Sequence, residues 1–103
     1  MKRLFSNSDI RRIRIGIPEG HIHIRTIIET FGGEKLIFQE ATIANIVRAY
    51  TTIKTHPQKN ALELEHIELF EKKEGFADHQ LIETDKDEAI IKRNIAETFD
   101  ECH

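Results

Sequence analysis

The chain has 103 residues, 39% hydrophobic and 32% charged, and its 15 basic and 18 acidic side chains leave a net charge of −3. This size supports one domain, residues 1–103, with a modest core, and the composition excludes a disordered or low-complexity chain. No run of 18 apolar residues is present to span a membrane, and the single cysteine, Cys102, excludes an internal disulfide and a cysteine-based structural zinc site.

Residues 1–8 carry charges but no apolar stretch of the kind an export signal needs. They are expected to form a flexible arm, and the chain to stay in the cytoplasm. Seventeen isoleucines and 13 glutamates, against one methionine and no tryptophan, match the usage of proteins built for high temperature.

Residues 10–17 place Ile13, Ile15 and Ile17 on one side and Arg12, Arg14 and Gly16 on the other, the period-2 pattern of a half-buried strand. Pro18, Glu19 and Gly20 suit a type I turn starting at Ile17. With a loop over 18–21, Ile17 faces Ile22, Ile15 faces Ile24, Ile13 faces Thr26 and Arg14 faces Arg25. Residues 22–30 also fit helical spacing through Ile24, Ile27, Ile28 and Phe31, but their β-branched density and the Gly32-Gly33 turn into residues 35–38 favour strand, turn, strand.

From residue 40 to 55 the period becomes 3.6, with Ile43, Ile46, Val47, Tyr50 and Ile53 in a stripe opposite Asn45, Arg48, Thr52 and Thr55. Pro57 ends this helix, because a proline pushes the residue before it out of helical geometry. Residues 58–60 form a loop. Residues 62–69 then read as a strand, with either a bulge near His66 or apolar residues on both faces. A hairpin loop at 71–75 and a returning strand at 76–83 follow. Asp85 and Glu88 match a capping box that opens a last helix, with Ile91, Ile95 and Phe99 in line and Ile90 beside them. The expected fold is α+β: a mainly antiparallel sheet of about five strands with two helices on one face, in the order βββαββα, or βαβαββα if residues 22–30 are helical.

Charge is graded along the chain: residues 1–25 carry +4, residues 26–60 carry +1 and residues 61–103 carry −8. The expected register gathers Arg12, Arg14, His23 and Arg25 on the polar face of the first hairpin. Like charges opposite one another are unfavourable, so an anion is expected over them. Glutamates of the acidic half, such as Glu63 and Glu65, are the first candidates, followed by an acidic surface on another subunit, a small anion and nucleic acid. Nucleic acid ranks last, because the net charge is negative and no aromatic residue interleaves with the arginines.

Other constellations are weaker. His21 and His23 would share one side of a strand, but a metal site needs a third ligand from His56, His66, His79 or the Cys102-His103 pair. Arg48, Tyr50, Lys54 and His56 end the long helix with no nucleophile or carboxylate pair tied to them by spacing, and cations there already complement the helix dipole. Gly16, Gly32 and Gly33 lack the lysine or serine of a phosphate loop. No motif names a reaction or a cofactor. The expectation is a non-enzymatic binding or interaction module that forms a homodimer. The alternatives are a small metal-dependent or anion-handling enzyme using His21, His23 and Arg25, and nucleic-acid binding through the amino-terminal arginines.

Overall fold

The computed structural model describes residues 3–69 and 79–100. A short 3-10 turn, Asn7–Asp9, precedes β1 (Ile10–Gly16), β2 (Arg25–Thr30), β3 (Lys35–Gln39), α1 (Glu40–Thr55), β4 (Leu64–Glu68), β5 (His79–Glu83) and α2 (Glu88–Asp100). The expected hairpin loop at 71–75 and the start of the returning strand, 76–78, lie outside the described residues, as do Cys102 and His103. No helix among the described residues is long and apolar enough to cross a membrane.

The entry turn is held by one carboxylate. The Ser6 amide and hydroxyl both donate to Asp9 Oδ2 at 2.9 Å. These bonds hold the Asp9 carboxyl below its ordinary value. Their contribution is therefore complete above the unfolded carboxylate range and is lost as pH falls through the lowered value. Farther back, Arg3 pairs with Glu34 and lies 4.8 Å from the Phe5 ring centroid.

Residues 25–30 are a strand, and β1, β2 and β3 form an antiparallel sheet in that order. The register differs from expectation by two residues: Ile13 faces Ile28, Ile15 faces Thr26 and Arg14 faces Ile27. The cause is the connection. The turn spans Pro18 to His21, whose amide donates to Pro18 O at 3.0 Å, and Gly20 sits third with φ +80°, the conformation a type II turn requires there. Residues 17–24 all stay outside the strands, so the loop is longer than a tight hairpin allows. A shift of two leaves every side chain on its original face, and the isoleucines still share one. The β2–β3 link is short, with Thr30 N donating to Glu34 O and Gly33 at φ +89° closing a three-residue loop.

Helix α1 forms as the periodicity predicts and stops at His56, whose extended backbone (φ −95°, ψ 117°) precedes Pro57. It packs against β2 and β3. The expected five-stranded sheet is instead two sheets, because among the described residues β4 and β5 pair only with each other. Sixteen helical residues, about 24 Å, carry the chain away from the first sheet. The loop after Pro57 then returns it alongside α1, where Asn45, Arg48 and Thr52 meet Leu64 and Leu81 across a cavity of about 280 Å³. Strand β4 runs in unbroken register from Leu64 opposite Glu83 to Glu68 opposite His79, so no bulge sits at His66. Its opposite-parity residues reflect apolar side chains on both faces, Leu64 and Leu81 on one, Ile67 and Ile82 on the other.

The two helices do not share one face of a common sheet. Helix α2 is seated through Ile91, 5% exposed, near Ala61 and Leu62. Its amino end is joined to the loop by Glu88, which accepts from the Asn60 amide. The cap is Asp87 rather than Asp85: Asp87 Oδ1 accepts from Ala89 N at 3.1 Å, and Asp87 O accepts from the Ile90 and Ile91 amides. Asp87→Ala is expected to cost about 1 kcal/mol in a urea titration, a loss Asp85→Ala should not reproduce.

Candidate functional site

The polar face of the first sheet carries the predicted arginines. Arg12 stands opposite Glu29, Arg14 opposite Ile27 and Arg25 opposite Gly16, with Lys35 on the far side of Glu29. Arg12 Nε lies 2.8 Å from Glu29 Oε2, and Arg14 Nη1 lies 3.5 Å from Glu29 Oε1. The Glu29 side chain is only 15% exposed, so one largely buried carboxylate holds two guanidinium groups. The carboxylate near the arginines is therefore a neighbour in β2, not Glu63 or Glu65. Glu63 lies 2.9 Å from Lys86 Nζ and raises that ammonium above its usual range through their hydrogen bond.

His23 is in the β1–β2 loop, off the strand face, with Nδ1 3.0 Å from Glu40 Oε2 at the start of α1. His21 lies in the same loop, exposed, so the two imidazoles do not form a strand pair. Arg25 Nη1 donates to Ile24 O at 3.2 Å. Among the described residues, no group of three or more His, Cys, Asp or Glu side chains is placed to hold a metal ion. Of the residues ending α1, Lys54 Nζ lies 6.0 Å from the Tyr50 ring centroid, and His56 Nδ1 accepts from the Gln58 amide at 3.3 Å.

These contacts answer part of the charge question. In the basic amino-terminal segment, Arg3 pairs with Glu34, Arg12 and Arg14 with Glu29, and His23 with Glu40, all carboxylates of the middle segment. Replacing Glu29 with Gln leaves Arg12 and Arg14 facing a neutral amide beside Lys35. Glu29→Gln is expected to lower stability by about 1–3 kcal/mol, read as a shift of the urea midpoint without a change of slope.

Two features escaped the sequence reading. The first is a histidine pair on the second sheet: His66 Nε2 lies 2.9 Å from His79 Nδ1, with the rings stacked at 5.1 Å and 23°. The pair borders a cleft of about 670 Å³ between α1 and β4–β5. The antiparallel return of β5 along β4 was the signal that could have found it. The second is the apolar surface. Ile13, Ile15 and Ile17 are 59–63% exposed, and Ile46, Val47 and Tyr50 on the α1 stripe are 54–62% exposed. The side of α1 that periodicity marks as inward is thus largely uncovered, while half-buried Asn45 and Thr52 turn toward β4–β5. No family model, curated protein or solved structure matches this chain.

Proposed function

We propose that this protein is a small non-enzymatic binding module that works as a homodimer. The observation that supports this reading is the apolar surface of the single chain. The total accessible area of the chain, polar and apolar together, is 8744 Å², whereas a compact monomer of this mass exposes about 6,000 Å². Its radius of gyration is 16.2 Å, against about 13 Å for a compact chain of this length. Among the described residues, only Ala61 and Ile91 are buried apolar side chains. A second copy is the occupant that suits such a surface, since obligate homodimers bury 2,000–5,000 Å² or more over the two partners, about 1,000–2,500 Å² from each chain, which is a large part of the per-chain excess.

The arginines favour one mode of association. Strand β1 is an edge, but pairing it antiparallel with its own copy about Ile13 would oppose Arg12 to Arg14 of the second chain. Like charges at an edge disfavour sheet extension. Face-to-face burial of the isoleucines avoids that clash and leaves the Arg12–Glu29–Arg14 contacts intact. The reading keeps the protein in the cytoplasm of an organism that grows hot, in line with its isoleucine-rich and glutamate-rich composition. Sedimentation at micromolar concentration should give twice the mass of one chain at both low and high salt. A single-chain mass in both conditions rejects the proposal.

A further inference from the structure

We infer that the cleft between α1 and the β4–β5 hairpin binds a phosphate group, free or as an ester of a small organic molecule. The cleft has a volume of about 670 Å³, within the range of cavities that take small ligands. Thr42, Asn45 and Arg48 line it from α1, and His66 and His79 from the two strands. Hydroxyl, amide, guanidinium and imidazole groups thus converge from three elements on one volume. No aspartate or glutamate lines it among the described residues, although the chain carries 18 acidic side chains.

The first sheet is different. There Arg12 and Arg14 have their carboxylate in Glu29, and Arg25 is turned to the Ile24 carbonyl. Arg48 has no acidic partner among the described residues. A guanidinium without a carboxylate, bordering a cavity of donors, suits an oxyanion better than a cation or a neutral ligand. The histidines add to this. With 2.9 Å between His66 Nε2 and His79 Nδ1, a neutral pair shares one N–H between the rings and keeps a second for a ligand. Glu68 stands opposite His79 on the same strand face and, among the described residues, is the acidic group nearest this pair in the register. Ala44 and Leu81 supply an apolar part of the wall, against which the organic portion of an ester can lie.

The test is an NMR titration of the isotope-labelled full chain with glycerol phosphate, with glycerol and inorganic phosphate in parallel. Glycerol phosphate should move the side-chain resonances of Asn45, Arg48 and His66, and glycerol should move none. Equal shifts from inorganic phosphate would mean that the oxyanion alone is read. Weaker shifts would assign the difference to the apolar wall. Arg48 is exposed, so Arg48→Ala should fold normally and weaken binding about tenfold, with Arg48→Lys recovering part of the loss. Arg93→Ala on α2, which removes the same charge elsewhere, should leave the affinity unchanged. Shifts that follow glycerol as strongly as its phosphate, the absence of any shift, or equal losses in Arg48→Ala and Arg93→Ala would each overturn the inference. The oligomeric state is read separately by sedimentation, so failure of the dimer and failure of the cleft remain distinguishable.

Discussion

Ile15→Asp is expected to convert the proposed homodimer into single chains and to weaken association by roughly 30- to 1000-fold, the range of a buried hot-spot residue. Ile15 is 63% exposed in one chain and stands on the isoleucine face of β1 beside Ile13. A carboxylate placed there must be desolvated when a second copy covers the face. Ile37→Asp is the matched control: Ile37 is 65% exposed but lies on the opposite face, among the arginines and Lys35. It should leave the dimer intact. A further consequence is that the thermal midpoint of the unaltered chain should rise with protein concentration, because association stabilises the folded state by mass action. If Ile15→Asp sediments as the parent does and its midpoint is unchanged, the isoleucine face is not the interface.

Ile91→Ala should produce the largest loss of stability among single truncations, about 2–4 kcal/mol, or a fall in the thermal midpoint on the order of 10–20 °C. Ile91 is 5% exposed and is one of the two buried apolar side chains among the described residues. It borders two cavities, of about 450 Å³ and 380 Å³, so the neighbourhood is already loosely filled. Removing three more carbons enlarges a space that nothing nearby is placed to fill. Ile90, one position away and 47% exposed, should cost less than about 1 kcal/mol when cut to alanine. Equal losses at the two positions would mean that α2 is not seated through Ile91.

Much of the local structure was legible because it depends on neighbours in sequence. The alternation of Ile13 and Ile15 with Arg12 and Arg14 marked β1, the 3.6-residue stripe marked α1, and Pro57 marked its end. The placement of Arg12, Arg14 and Arg25 on one sheet face was legible for the same reason. His23 was misplaced because the loop is longer than the turn chemistry of Pro18 to Gly20 suggests, which leaves His23 to meet Glu40. The His66–His79 pair depends on how β5 lies against β4, a relation that alternation within either strand does not encode.

By itself, the sequence determined β1 and α1 and which of their side chains share a face, since periods of 2 and 3.6 residues are properties of the local backbone, but it left residues 22–30 open between strand and helix. Only the tertiary structure decided the partners. A two-residue shift of register conserves every face, so the alternation could not tell whether Arg14 meets Arg25 or reaches Glu29. Nor could it tell that α1 would lie beside two separate sheets with Ile46, Val47 and Tyr50 uncovered. Amphipathic patterning records that a face is apolar, but burial by the same chain and burial by a second copy produce the same pattern.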